Sequence, residues 1–207
     1  IKDRLKFIDL FAGIGGMRIA LERVGTKCVF SSEWDRYAQQ TYQANFGEIP
    51  YGDITKISTD LIPDFDILVA GFPCQPFSAI GKREGFQHPT QGTLFYEIER
   101  IIKAKQPISF LLENVEGLLN HNQGRTLQLI LKSLNELNYD VFYQVLDAAK
   151  YGVPQSRKRV YFVGFNRSYS SGFVDFSFPQ PSKKSVDIGQ FIESHFDGYC
   201  ISQHLQK

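Results

Sequence analysis

The sequence predicts an α/β fold in which helices cover both faces of an open, mostly parallel sheet. Short apolar runs alternate with amphipathic segments along the chain, a pattern typical of parallel sheets. A glycine-rich turn joins the first apolar run to the first amphipathic segment. The 207 residues are 43% hydrophobic and 22% charged, which excludes disordered, collagen-like and coiled-coil chains. The length favours one domain, or one domain with a fragment of a second.

Strands are predicted where apolar runs are bounded by turn-forming residues. The predicted strands cover residues 5–11, 27–31, 66–70, 108–113, 139–146 and 160–165.

Helices are predicted where apolar residues recur every three or four positions. Asp35 is typical of a helix N-cap, Gly25 and Gly47 are typical of helix ends, and Pro107 follows the end of a helix. The predicted helices cover residues 17–24, 35–46, 93–105 and 126–137, with a short helix at 186–196. In the fourth helix one face carries Leu127, Ile130, Leu131 and Leu134.

Charge and cysteine content restrict the function classes. With 23 basic and 22 acidic residues the net charge is +1, so composition gives no sign of nucleic-acid binding. Cys28, Cys74 and Cys200 form no C-x-x-C pair, which argues against a disulfide framework or a cysteine zinc site, and no metal is expected. Because we find neither a signal core nor an apolar run long enough to span a membrane, we expect a cytoplasmic protein.

The glycine turn indicates a nucleotide-like cofactor. Phe11-Ala-Gly13-Ile-Gly15-Gly16 follows a strand and opens a helix, where the backbone and the helix N-terminus face a ligand in doubly wound folds. A dinucleotide fingerprint needs glycine at position 18, which is Arg18. A pyrophosphate cofactor is therefore disfavoured.

Three side chains near successive strand ends suit the ribose and the purine base of a nucleotide-like cofactor. Glu33, at the end of the second predicted strand, is positioned to accept hydrogen bonds from ribose hydroxyls. Trp34 offers an apolar face to a purine, and Asp53, in Gly52-Asp53-Ile54, is expected to accept from an exocyclic amine.

A nucleophile is predicted in Gly71-Phe-Pro-Cys74-Gln-Pro-Phe-Ser78, directly after the third predicted strand. Ligand sites in such sheets lie beyond the carboxyl ends of strands. The flanking prolines restrict the backbone, and a thiolate adds readily to electron-poor carbon. Cys28 and Cys200 are expected to be inert.

Over residues 5–165 the chain resembles the catalytic domain of DNA (cytosine-5)-methyltransferases of the bacterial restriction–modification type. Six blocks in order carry the resemblance: Phe11–Gly16, Glu33-Trp34, Gly52-Asp53-Ile54, Gly71–Ser78, Glu113-Asn114-Val115 and Gln155-Ser-Arg157-Lys-Arg159. The resemblance implies a Rossmann-like sheet, S-adenosylmethionine as cofactor with S-adenosylhomocysteine as product, and flipping of cytosine out of double-stranded DNA.

The resemblance also assigns roles to residues. Cys74 is expected to add to cytosine C6, Glu113 to contact N3 and the 4-amino group, and Arg159 to hold O2. Arg157 is expected to contact phosphate or the loop at residues 78–92. The implied cofactor-binding residues are Phe11, Gly13, Gly15, Gly16, Glu33, Trp34, Asp53, Ile54 and Pro73. The implied substrate and loop residues are Gln75, Ser78, Lys82 and Arg83, in a basic, glycine-hinged segment that closes over DNA.

The predicted organisation is a catalytic, cofactor-binding domain at 1–166 and a connector at 167–207 that leads toward a target-recognition region. The later blocks of the family pattern are absent from these residues. Three explanations stay open: a truncated chain, a proteolytic fragment, or one subunit of a split enzyme whose complementary chain carries the missing blocks.

Other functions stay open as well. Cytosine-5 methylation of RNA uses the same chemistry, so the catalytic residues do not discriminate it from methylation of DNA. A binding module that docks a partner chain and is inactive alone is the alternative from another class. A Rossmann oxidoreductase is disfavoured by Arg18 and by the lack of a proton relay near the glycines.

Overall fold

The computed structural model describes residues 4–73, 94–169, 174–182 and 186–192. The strands in these ranges are β1 Lys6–Leu10, β2 Lys27–Ser32, β3 Ile67–Gly71, β4 Ser109–Val115, β5 Tyr139–Asp147 and β6 Lys158–Asn166. The helices are α1 Gly16–Arg23, α2 Arg36–Phe46, α3 Leu94–Lys105 and α4 Arg125–Glu136. These ten elements confirm the predicted ones, with ends that differ by one or two residues. In the described part of the predicted helix at 186–196, a 3-10 turn at Ile188–Phe191 stands instead.

At α2 the predicted capping residue and the predicted end residue act as the sequence indicates. The Asp35 side chain accepts a hydrogen bond from the backbone N–H of Ala38 at 2.8 Å, so it caps the helix. Gly47 ends the helix with a φ of 75°, a left-handed conformation that glycine adopts without strain.

The strands form one sheet in the order β2-β1-β3-β4-β6-β5. The pairs β1–β2, β1–β3 and β3–β4 are parallel, and β4–β6 is antiparallel. The sheet is Rossmann-like, with its parallel part at β1 to β4.

Strand register brings four carboxyl ends to the same edge of the sheet. Leu10 at the end of β1 pairs with Ser32 of β2 and with Ala70 of β3. Gly71 at the end of β3 pairs with Glu113 of β4. Residues that follow these strands therefore leave the sheet at neighbouring points.

The main apolar core lies where one sheet face packs against α3 and α4. Sheet residues that are at most 1% exposed include Ile8, Leu10, Leu68, Phe110 and Leu112. They cluster with helix residues that are fully buried, among them Ile98, Ile101, Ile102, Ile130 and Leu134. Burying each such side chain stabilises the fold by about 1.5–3 kcal/mol.

The opposite face of β1 and β2 is covered by α1 and α2, so helices lie on both faces. Alternation along β1 turns Asp9 away from Ile8 and Leu10, and Asp9 is 1% exposed. Arg18 of α1 and Tyr42 of α2 are buried on this side.

The chain divides into two compact units. The larger unit comprises Ile1–Leu146 with Lys158–Phe178, and the smaller comprises Asp147–Arg157 with Pro179–Lys207. In the smaller unit the backbone N–H of Ser182 donates to the Lys150 carbonyl at 2.8 Å. A domain boundary after residue 166 stays a prediction. None of the helices in the described ranges has the length and apolar character needed to cross a membrane.

Candidate active site

The glycine turn leaves β1 in a conformation that few side chains tolerate. Phe11 and Gly13 both have a φ of 55°, and Gly15 has a φ of 92°. The backbone N–H of Ala12 donates to the Ser32 carbonyl at 3.0 Å, which attaches the turn to the end of β2. Apart from the adjoining backbone and the two chain neighbours, no atom of the described residues lies within 4 Å of a Cβ built on Gly13 or Gly16. The turn therefore offers open backbone to a ligand.

Glu33 holds this turn from the neighbouring strand. Its Oε2 accepts a hydrogen bond from the backbone N–H of Gly13 at 2.8 Å, and its Oε1 accepts from the backbone N–H of Asp35 at 2.8 Å. The residue is 8% exposed. Each carboxylate oxygen offers more than one acceptor site, so Glu33 has capacity left for the hydroxyl groups of a ligand.

The next predicted cofactor residues lie beside this edge. Trp34 is 73% exposed, so its ring is accessible for stacking. Tyr51 bridges to Ser32 in parallel, which places Asp53 shortly after a point of contact with β2. Ile54 is in the apolar core at 3% exposure, so a cofactor contact from it would use its backbone.

Asp53 already caps a short 3-10 turn. Its Oδ1 accepts hydrogen bonds from the backbone N–H and the hydroxyl of Thr55, at 3.0 and 2.7 Å. Partial burial acts to raise the pKa of Asp53, but these hydrogen bonds and the charge of Lys56 outweigh it. The pKa of Asp53 is therefore lower than its ordinary value. The carboxylate is ready to accept a further hydrogen bond.

The predicted nucleophile Cys74 lies outside the described residues, as do Gln75, Ser78, Lys82 and Arg83. Pro73 is the last described residue before it and is exposed. Since β3 ends at Gly71, the chain enters the Pro-Cys segment from the same edge that carries the glycine turn.

Asn114 is a site residue to which the sequence analysis gave no role. It is 1% exposed. Its Nδ2 donates to the Phe72 carbonyl at 3.0 Å, and its Oδ1 accepts from the backbone N–H of Val115 at 2.8 Å. The end of β4 thereby anchors the segment that leads into Cys74. The sequence does carry a signal that could have identified Asn114. Asparagine is disfavoured in strands, yet it stands here at the end of an apolar strand.

Glu113 and Arg159 form an ion pair at the same edge. Arg159 Nε lies 3.0 Å from Glu113 Oε1, and the two side chains are 21% and 17% exposed. The antiparallel register of β4 and β6 pairs Arg159 with Val115, which brings the arginine alongside Glu113. A Cβ built on Gly71 would lie 3.5 Å from Glu113 Oε2, so the carboxylate also borders the end of β3.

Arg157 belongs to the smaller unit. Its backbone N–H donates to Asp147 Oδ1 at 3.0 Å. Its expected role toward phosphate stays a prediction.

Cys28, which the sequence analysis expected to be inert, is half-buried in β2. Its thiol donates to the Phe30 carbonyl, and the Sγ–O distance is 3.5 Å. Burial raises the pKa of Cys28 to about 11, so little thiolate is present at neutral pH.

The family model for C-5 cytosine-specific DNA methylase matches residues 5–206. Type II methyltransferase M.MspI from Moraxella sp. is 56% identical over 202 residues, which cover 98% of this chain and 47% of the relative. Type II methyltransferase M.BsuFI from Bacillus subtilis is 56% identical over 206 residues, covering 99% and 49%. The chain thus spans about half the length of these curated relatives.

Solved structures agree with this match. The structure of DNMT2 from Spodoptera frugiperda superposes with a TM-score of 0.75 at 25% identity, covering 93% of this chain and 61% of the other. The glycine turn, the Glu33 and Asn114 contacts and the Glu113–Arg159 pair therefore sit in a sheet of known type. Since the family match extends over nearly the whole sequence, this chain belongs to the C-5 cytosine-specific DNA methylase family.

Proposed function

We propose that the chain supplies the catalytic portion of an enzyme that transfers a methyl group from S-adenosylmethionine to C5 of cytosine in double-stranded DNA. One observation carries this proposal. The carboxyl ends of β1 to β4 bring the glycine turn, the segment entering Cys74 and the Glu113–Arg159 pair to one edge of the sheet.

The residues at this edge fit S-adenosylmethionine. Open backbone at Gly13 and Gly16, spare acceptor capacity on Glu33 and the exposed ring of Trp34 suit its methionine, ribose and adenine parts. A dinucleotide fits less well, because the position of the third fingerprint glycine holds the buried Arg18. When bound, S-adenosylmethionine supplies an electrophilic methyl group.

Cys74 is the nucleophile in this proposal. Its thiolate forms a bond to cytosine C6, which makes C5 electron-rich. After C5 has gained the methyl group, loss of the C5 proton and cleavage of the S–C6 bond restore the aromatic ring and the thiolate. The Asn114–Phe72 hydrogen bond supports this role because it fixes the backbone two residues before Cys74.

Glu113 and Arg159 act on the cytosine ring. Addition at C6 places negative charge on N3, so Glu113 in its acid form donates a proton there, which is general acid catalysis, and takes the same proton back when the S–C6 bond breaks. Arg159, 3.0 Å from Glu113, orients the carboxyl group and holds cytosine O2. We place both residues in direct contact with the flipped base.

Base flipping is part of the proposal because a stacked cytosine exposes neither face of C6 to a thiolate. We assign closure over the DNA to the segment with Lys82 and Arg83, which lies outside the described residues. The chain spans about half the length of its curated relatives, and its net charge is only +1. We therefore place recognition of the DNA sequence outside residues 1–207.

The test is product analysis after methyl transfer. The protein as its host produces it is incubated with S-adenosylmethionine and either duplex DNA or transfer RNA, and the nucleosides are separated by mass spectrometry. We expect 5-methylcytosine in DNA. Glu113→Gln should slow the reaction by about 10²–10⁴-fold without weakening cofactor binding, since an amide cannot deliver the N3 proton.

The matched control is Glu116→Gln, a substitution of an exposed carboxylate three residues along the chain, which should keep the full rate. Methylation of RNA alone, methylation at another cytosine position, or a full rate with Glu113→Gln would contradict the proposal.

A further inference from the structure

The glycine turn is held from α2 as well as from β2. Asn45 lies in the last turn of α2, and its Nδ2 donates a hydrogen bond to the Ile14 carbonyl at 3.0 Å. The two residues are 31 positions apart in the chain, so this bond is a tertiary contact. It joins the end of α2 to the middle of the glycine turn.

A second contact from α2 is made beside the first. A Cβ built on Gly15 would overlap the ring of Phe46 and would lie 3.2 Å from Tyr42 Cε2. The two rings also contact each other, with their centroids 4.5 Å apart. Because packed interiors leave little free space, this pair of rings limits where the backbone of Gly15 can lie.

The hydrogen bonds of the turn divide between the two neighbouring elements. The backbone N–H of Gly13 donates to the Glu33 carboxylate at 2.8 Å. The backbone N–H of Gly15 donates to the Ala12 carbonyl at 2.9 Å, within the turn itself. Thus β2 fixes the first half of the turn, and α2 fixes the second half through Asn45.

Arg18, in the first turn of α1, holds the end of α2 that makes these contacts. Its Nη1 donates to the Tyr42 hydroxyl at 2.9 Å and also to Glu48 Oε1. Its guanidinium carbon lies 4.3 Å from the centroid of the Phe46 ring, within the range of a cation–π interaction. The side chain is only 10% exposed. A lysine could not make these contacts together, because they use the planar fork of the guanidinium group.

We propose that Asn45 and Arg18 are positioning residues for the cofactor site. Arg18 holds the end of α2, and α2 holds the glycine turn through Asn45 and Phe46. Both residues act through the backbone of the turn and do not touch the cofactor. A looser turn has to be ordered when the cofactor binds, which lowers affinity. The link to the cofactor rests on the proposed function, whereas the hold on the turn rests on the contacts alone.

The first test needs no cofactor. Hydrogen exchange of the Gly13 and Gly15 backbone amides is followed by NMR in the protein as its host produces it and in Asn45→Asp, which removes the Nδ2 donor at an exposed position. We expect both amides to exchange about three- to tenfold faster in the variant, which corresponds to the loss of one hydrogen bond. The amide of Ile130, buried in α4, should keep its rate. Unchanged glycine exchange, or equal acceleration at Ile130, would overturn the proposal.

The matched control is Gln43→Glu, which places the same negative charge on an exposed residue of α2. It leaves the bond to the Ile14 carbonyl in place, so the glycine amides should exchange as in the unmodified protein. If they accelerate as much as in Asn45→Asp, charge on α2 and not the Asn45 bond governs the turn, and the proposal is wrong.

Two further variants test Arg18. Arg18→Lys keeps the charge but loses the guanidinium contacts to Tyr42 and Phe46, so the Gly15 amide should exchange faster while the core of α4 is unchanged. Unchanged Gly15 exchange in this variant would remove Arg18 from the proposal. If Arg18→Lys does not fold, Glu48→Gln decides instead, because it weakens the hold on the same arginine at a side chain that is 57% exposed.

The second test separates binding from chemistry. The dissociation constant of S-adenosylmethionine is measured by calorimetry, and kcat is measured at saturating S-adenosylmethionine in a preparation that methylates cytosine. In Asn45→Asp the dissociation constant should rise about three- to tenfold while kcat is kept, because Cys74 and Glu113 are untouched. An unchanged dissociation constant would contradict the inference. If the unmodified protein binds no S-adenosylmethionine, the proposed function fails in its cofactor assignment, and glycine exchange still decides whether α2 holds the turn.

Discussion

The carboxylate of Glu33 accepts a hydrogen bond from the backbone N–H of Gly13 at 2.8 Å, which ties the end of β2 to the turn that follows β1. The same carboxylate accepts from the backbone N–H of Asp35 at the start of α2. One side chain thus fixes two backbone segments and still has acceptor capacity toward solvent. Glu33 is therefore both a ligand residue and a support of the site in our account.

Replacing Glu33 should weaken cofactor binding. Glu33→Ala removes the charged acceptor for ribose and releases Gly13, so we expect a loss on the order of 1.5–3 kcal/mol in the binding free energy of S-adenosylmethionine by calorimetry. The control Glu136→Ala removes a carboxylate that is 63% exposed on α4 and should bind normally. Tighter binding of NAD than of S-adenosylmethionine would contradict the cofactor assignment.

Gly15 should tolerate alanine less well than Gly25 does. Both have a φ of 92°, but a Cβ on Gly15 would lie 2.1 Å from Phe46, whereas a Cβ on Gly25 would have no atom of the described residues within 4 Å apart from its chain neighbours. Gly25→Ala should lower the free energy of unfolding by about 1–2 kcal/mol from backbone strain alone. Gly15→Ala should cost about 1–3 kcal/mol more from the overlap, as measured by urea denaturation. Equal losses would show that the Phe46 contact does not constrain the turn.

Asp9 should make stability depend on pH. Its pKa is about 7 in the folded chain against an ordinary 3.8, so between these values the folded state binds a proton that the unfolded state lacks. Stability from this group is therefore present at low pH and is lost as pH rises toward and past 7. From pH 5 to pH 8 the unfolding free energy of the unmodified chain should fall by about 2–3 kcal/mol relative to that of Asp9→Asn. Parallel pH curves in urea denaturation would contradict this reading.

The Asn114 anchor should matter for both stability and rate. Asn114→Asp removes the donor to the Phe72 carbonyl and buries a carboxylate, so we expect the unfolding free energy to fall by about 1–3 kcal/mol. Methyl transfer should slow while cofactor affinity holds, because the glycine turn is untouched. The control Asn135→Asp changes an exposed residue of α4 and should affect neither. A normal rate with Asn114→Asp would show that the anchor does not position Cys74.

The sequence predicts the sheet because its signals are local. Apolar runs, the Asp35 cap and the Gly47 stop each act within a few residues, and the structure confirms those elements. Placement of Glu33 beside the glycine turn was also predictable, since the ends of parallel strands meet at one edge of a sheet.

The remaining contacts depend on partners distant in sequence. In the sequence, Arg18 stands out only because it occupies the position where a dinucleotide fingerprint needs glycine. Its burial arises because Tyr42 and Phe46 approach it from another helix. Asn114 becomes an anchor only because β3 and β4 are adjacent, which brings Phe72 within its reach. Ile54 belongs to one of the sequence blocks typical of the family, yet its side chain is buried in the apolar core.

The most direct test of the central claim is covalent trapping at Cys74. A duplex with 5-fluorocytosine at the target position is incubated with S-adenosylmethionine and a protein preparation that methylates cytosine. Because fluorine cannot leave C5 as a cation, elimination stops after methyl transfer and the S–C6 bond persists. We expect a protein–DNA adduct that peptide mass spectrometry assigns to the segment with Cys74. The adduct should be abolished by Cys74→Ser, since serine is a much weaker nucleophile at neutral pH, and kept in Cys28→Ser and Cys200→Ser. Normal methylation of cytosine by Cys74→Ser would contradict the account.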